Sequence, residues 1–157
     1  MLVGAVMSTL TATNLKHLIA DVTAFRTWTG TATQETARAR CYIAGVDEGD
    51  YVRPFCLVIA EETPTDRRVA GGAVDVHVEE GHLLVLFEDD ASGDTMEDAD
   101  VNFSNDVGGI LAGILALAGR PGYLSIASVS QREAPGRFVE DAGDDAYQAL
   151  YDVEWGL

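Results

Sequence analysis

A chain of 157 residues with 47% hydrophobic, 23% charged and 8% aromatic residues is long enough to bury one core and too apolar for a disordered tail. Ten Lys and Arg stand against 26 Asp and Glu, a formal charge of −16 that argues against a protein working by gripping phosphates. The charge is polarised: Lys16, Arg26, Arg38 and Arg40 against Asp21 and Glu35 leave +2 over residues 1–46, and the remainder carries −18.

The apolar run Met1-Leu-Val-Gly-Ala-Val-Met7 has no basic flank and is too short to span a bilayer, so neither secretion nor membrane insertion is expected. Residues 1–10 are expected to be an N-terminal arm or, with Met7 as an alternative start, a misassigned one; a single α+β domain is expected over 11–157. Thr11, Thr13 and Asn14 offer N-cap oxygens, and Leu15, Leu18, Ile19, Val22 and Phe25 recur with helical period, predicting an amphipathic helix that ends near Gly30. Thr31 and Gln34 have capping-box spacing and Gly45 stands where a C′ residue would, predicting a second helix over 32–44 that carries Arg38 and Arg40.

Pro54 opens Phe55-Cys-Leu-Val-Ile-Ala60, a continuous apolar run expected as a strand buried on both faces. Residues 73–79 and 82–88 read as a hairpin turning at Glu79-Glu80-Gly81, with a register open by one residue. With a two-residue turn Val74, Val76, Val78, Leu83, Val85 and Phe87 share one face. Leu84 and Leu86 then lie on the other, beside Asp75, His77 and His82. Either register needs cover on both faces, and so small a chain can borrow one cover from a neighbouring subunit.

Seven acids over 88–100 predict a solvated loop. Ser104 or Asn105 is placed to cap a third helix with the stripe Phe103, Val107, Ile110, Leu111, Ile114 and Ala118. Its opposite face is Gly108, Gly109, Ala112, Gly113 and Ala116; each Gly costs about 1 kcal/mol against Ala, so three of them predict close approach by another element. Gly119 and Pro121 end this helix. A strand is expected over 123–130 and loops over 131–137 and 140–145. The last strand alternates, with Tyr147, Ala149, Tyr151, Val153 and Trp155 on one buried face. About three helices and about five strands make an α+β domain, a mostly antiparallel sheet packed by helices.

Few residues offer chemistry. Cys41 and Cys56 lack metal-like spacing and read as reduced core residues. His77 and His82, with Asp75 or Glu79, could hold a zinc-like ion across the hairpin turn, though solvated polar residues flanking a turn look the same in sequence. His17 falls one position off the first helix stripe and reads as a surface residue. Asp90-Ala-Ser92-Gly-Asp94 begins like a calcium loop, but Thr95 and Val101 stand where that loop needs Gly and Glu. There is no G-x-S-x-G, no Cys-His pairing and no glycine-rich phosphate loop. No catalytic, cofactor-binding or metal-ligating residue is therefore assigned, and an enzyme is not expected. Arg38, Arg40, Arg53, Arg67 and Arg68 are either solvated or meet the acidic part of an identical neighbour, as a head-to-tail ring would arrange. Lysine appears only at Lys16, a balance that suits a halophilic surface kept hydrated in concentrated salt, where self-repulsion is screened. An acidic surface serving function in ordinary salt is the alternative.

Five blocks carry a resemblance: the helix 15–25 followed by Arg26-Thr-Trp28-Thr-Gly30, the strand after Arg53-Pro54-Phe55, Asn102-Phe-Ser-Asn-Asp-Val-Gly-Gly109, Gly119-Arg-Pro-Gly-Tyr-Leu124 and Val153-Glu-Trp-Gly156. In order and texture, over roughly residues 12–156, the chain resembles the tail terminator and neck proteins of tailed bacterial and archaeal viruses. The apolar residues before Leu10 depart from that pattern. The resemblance implies an α+β fold and a homohexameric ring on the last ring of the tail tube, ending tube growth and joining tail to head. Implied partners are the tail tube protein, a head-closure or connector protein and the tape measure protein, with DNA passing through the lumen unbound. The implied location is the head-tail interface of the virion, with assembly in the host cytoplasm. An acidic lumen would repel phosphates, and the loops at 88–100 and 140–145 are candidates for its lining. A head-closure adaptor is the nearest alternative; a small acidic metal-binding module or enzyme resting on His77 and His82 is the alternative of another class.

Overall fold

The computed structural model describes residues 2–47, 49–60, 65–71, 74–90, 95–139 and 145–156, with side chains at 11–47, 49–60, 81–90, 95–137 and 146–156. Helix α1 (Leu2–Asp21) includes most of the segment expected as an arm. The helix expected to run to Gly30 breaks at Val22, whose backbone is extended (φ −73°, ψ 122°), and resumes as α2 (Thr23–Thr29). The apolar stripe survives the break, since Leu15, Leu18, Ile19, Val22 and Phe25 are all buried. Asn14 lies inside α1 rather than at its start. Its amide oxygen accepts from the Leu124 N–H at 2.9 Å and its amide nitrogen donates to the Gly122 carbonyl at 3.3 Å, tying a distant turn to the helix.

The second helix shrinks to α3 (Gln34–Arg38), capped by Thr33, which exchanges hydrogen bonds with Thr36. Residues 41–43 of the expected helix instead form strand β1 (Cys41–Ile43), and Gly45, at φ +81°, serves a turn after a strand. Burial decides this: Cys41 and Ile43 enter the core beside strand β2 (Phe55–Ala60), to which β1 runs parallel.

The expected hairpin at Glu79-Glu80-Gly81 does not exist. Strand β4 (Val74–Asp90) passes through it without interruption. Its partner over 74–80 is strand β3 (Thr65–Gly71), and over 83–88 it pairs with β2, which lines the same edge. The glycine that read as a turn is a close approach. A Cβ on Gly81 would stand 2.9 Å from the Trp155 ring, so the indole fills the space that a side chain would take.

Strand β5 (Ser125–Val139) also outruns expectation: 131–137 is strand rather than loop, reached through register shifts after Ile126, Gln131 and Glu133. Strand β6 (Asp145–Gly156) alternates as predicted, with Tyr147, Ala149, Tyr151, Val153 and Trp155 buried. The sheet order is β1-β2-β4-β6-β5, with β3 continuing beside β4, and only β1–β2 is parallel. The fold is α+β.

Helix α4 (Met96–Leu117) starts a full two turns before the expected caps. Thr95 is its N-cap, accepting from the Asp98 N–H at 3.1 Å, and Glu97 and Asp98 sit in its first turn, where helix-dipole charge favours them. The acidic stretch is thus the end of β4 and the start of α4; its residues 91–94, and 140–144 of the second acidic loop, lie outside the described residues. Phe103, Val107, Ile110 and Ile114 are buried as predicted. The small-residue face meets α2: Gly109 lies against Ala24, and a Cβ on Gly113 would fall 2.3 Å from a Val22 methyl. Gly108 faces nothing within 4 Å. Among the described residues no helix is long and apolar enough to cross a membrane.

Candidate assembly surface

The helices cover one side of the sheet. Residues of one parity, among them Cys41, Ile43, Cys56, Val58, Leu83, Val85, Phe87, Tyr151 and Val153, face α1, α2 and α4 and form the core. The other parity faces away. Register places Tyr42, Leu57, Leu86 and Leu150 in one row across β1, β2, β4 and β6, and Ile59, Leu84 and Asp152 in the next. Leu57, Ile59, Leu84, Leu86 and Leu150 are only half-buried, so β2 is not enclosed on both faces as its unbroken apolar run suggested. Five branched aliphatic side chains across three adjacent strands thus form a contiguous, partly exposed apolar patch.

Each end of the patch is polar and tightly organised. At one end Tyr42, Tyr51 and Phe55 pack together in tilted and edge-on contacts, with ring centroids 4.5 to 5.8 Å apart. Beside them a shallow hollow of about 690 Å³ is lined by Tyr51, Val52, Arg53, Phe55, Glu88 and Asp90. Arg53 donates to Glu88 at 3.0 Å and to Asp90 at 3.2 Å, and Arg40 donates to the Arg53 and Pro54 carbonyls from behind. Two of the arginines weighed as contacts to a neighbour are therefore engaged within their own chain. At the other end the Asp152 carboxylate takes His82 at 2.9 Å and Arg132 at 3.6 Å, and Ser128 donates to Glu154. Carboxylates of Glu88, Asp90, Asp152 and Glu154 outnumber the guanidinium groups of Arg53 and Arg132, leaving the rim of the patch acidic.

No family model matches this chain, and no curated protein matches it.

The residues singled out for chemistry do not converge. The histidine pair depended on a turn between 79 and 82; on a continuous strand His77 and His82 stand five residues and about 17 Å apart. The side chains of Asp75, His77 and Glu79 lie outside the described residues, and His82 is occupied by Asp152. Among the described residues no three His, Cys, Asp or Glu gather as metal ligands do. Asp90 of the calcium-like stretch is bound to Arg53, and Thr95 is a helix cap.

His17 is half-buried, and its pKa is lowered first by burial and then by Arg38 and Lys16. Cys41 and Cys56 are register partners on β1 and β2, both free and fully buried. Burial, then the hydrogen bond that its S–H makes to Cys41, pushes the Cys56 thiol well above its ordinary range, the opposite of an activated nucleophile. On the core side, Trp28 packs edge-on against Phe87 and donates to Asp89 at 3.0 Å.

Sequence reasoning noted Leu84 and Leu86 on a second face but missed their partners. The available signal was Leu150, an apolar residue on the polar side of β6 between Gln148 and Asp152.

Proposed function

We propose that this protein is a structural ring subunit of a virion neck, a tail terminator that caps the tail tube, ends tail elongation and joins tail to head. The observation that carries this reading is the partly exposed apolar face of Leu57, Ile59, Leu84, Leu86 and Leu150, opposite a face occupied by helices. Burying such a face against another copy removes apolar area from water, and subunits that meet through two different surfaces close into a ring when the rotation allows. The texture shared with neck proteins gives the ring its place at the head-tail interface of the virion and its hexameric count. Its partners are then the tail tube protein, a head-closure or connector protein and, during assembly, the tape measure protein. The charge of −16 suits a conduit through which DNA slides without sticking. Catalysis, cofactors and metals have no part in this reading.

The test is to assemble the virus without the protein. Tails of uncontrolled length, or finished tails unattached to heads, are expected; normal attached tails would refute the assignment. Cross-linking in intact necks separates it from a head-closure adaptor, which contacts the portal side in place of the tail tube.

A further inference from the structure

Cys41 and Cys56 are the only cysteines of the chain, and the fold brings them together. They are direct register partners on the parallel pair β1–β2, so both side chains leave the sheet on the same side, into the core. Neighbouring strands stand about 4.8 Å apart, inside the ~4.4–6.8 Å between Cα atoms that a disulfide spans. The thiols are near enough for the Cys56 S–H to meet the Cys41 sulfur. Between the two lie Tyr42, Tyr51, Arg53 and Phe55, which supply the aromatic cluster and one wall of the hollow beside it.

Fully buried thiols are protonated and out of reach of an oxidant, so the pair is inert while the sheet is closed. Strand β1 is the weak point of that enclosure. It is three residues long, it ends the sheet, and β2 is its one strand partner among the described residues. Cys56, by contrast, lies on an inner strand, in register with Phe87 of β4 on its other edge. A short terminal strand opens locally at a cost well below that of global unfolding, and opening β1 brings Cys41 to solvent first.

We propose that Cys41 and Cys56 are a redox pair, reduced in the closed sheet and converted by small-molecule disulfides into an intramolecular bond that clamps β1 to β2. The Cys41 thiolate of the opened strand attacks one sulfur of the reagent, whose other half leaves as a thiol, and Cys56 then displaces the second half. Two protein thiols give up their protons, one protein S–S bond forms, and the reagent disulfide is reduced to two thiols. The clamp ties the terminal strand to the sheet interior and closes a loop around the aromatic cluster, which restricts the unfolded chain and holds the wall of the hollow in place. It needs neither a ring nor a second copy.

The full wild-type chain, purified reduced and then held with oxidised glutathione under native conditions, tests it. Thiols counted after denaturation are expected to fall from two to none. The intact mass of the chain should drop by about 2 Da, with no glutathione retained. Cleavage at aspartate, which cuts between the two cysteines at Asp47 and Asp50, should leave the Cys41 and Cys56 peptides joined until reductant is added. The oxidised chain should also melt at a higher temperature than the reduced one. Two thiols surviving long exposure, a chain arrested with glutathione attached, disulfide-linked dimers, or a melting temperature that oxidation does not raise would each overturn the clamp. So would a bond that forms only in denaturant.

Discussion

Three glycines on one helix face separate helix propensity from packing, because their surroundings differ. Replacing Gly by Ala in a helix interior gains about 1 kcal/mol from propensity alone. At Gly108 a new Cβ meets nothing within 4 Å, so Gly108→Ala should gain close to that full amount. At Gly109 the nearest atom is the Ala24 Cβ at 3.7 Å, ordinary contact, and the gain should be similar. At Gly113 the added methyl would sit 2.3 Å from Val22 Cγ1, with the Val22 Cβ and its other methyl at 3.4 Å, so the valine must shift or change rotamer. Overpacking of this kind costs about 1–3 kcal/mol.

The substitutions at 108 and 113 should therefore differ by about 1–3 kcal/mol. At this chain length that is a gap of about 2–12 °C in Tm, with the helix propensity change identical in both. Thermal melts followed by circular dichroism read it directly. Val22→Ala removes the obstructing methyl, so it should cost less in the Gly113→Ala background than in the wild type, a coupling of about 0.5–3 kcal/mol. If Gly113→Ala raises Tm as much as Gly108→Ala, α2 does not pack closely on α4 and the reasoning fails.

Gly81→Ala should cost about 1–3 kcal/mol and disturb the tryptophan near-ultraviolet signal, since the new Cβ would meet the Trp155 ring; an unchanged spectrum and stability would contradict that contact. Cys41 and Cys56 should resist a thiol reagent in the native protein at mildly alkaline pH and react fully once it is unfolded; rapid native labelling would contradict their burial. Asp89 has a pKa raised from 3.8, first by burial, with the hydrogen bond from Trp28 opposing. A carboxyl whose folded pKa lies above its unfolded value is stabilising when protonated. The wild type should therefore gain stability relative to Asp89→Asn as pH falls from the folded value toward 3.8, and lose that advantage above it. Denaturant titrations across that window check this, and a pH-independent difference would refute it.

Much of the fold is legible from local pattern. The buried stripes of α1 and α4, strand β2, the alternation of β6, the reduced core cysteines and the α+β class all follow from side-chain period and burial, which neighbouring residues determine by themselves. Three of the failures share one cause. Gly45, Gly81, and the Pro135-Gly136 pair within 131–137 all read as breaks, because glycine and proline are turn residues when nothing else is known. In the folded chain Gly45 follows a short strand, Gly81 lies beneath Trp155 from seventy-four residues away, and Pro135 and Gly136 sit at the last register shift of an edge strand. The same limit hid the second apolar face of the sheet. Leu57, Leu86 and Leu150 are far apart in the chain, and only the register of β2, β4 and β6 sets them side by side. Period tells a residue which face of its own strand it occupies; strand order alone tells it which residues share that face, and whether a helix covers them.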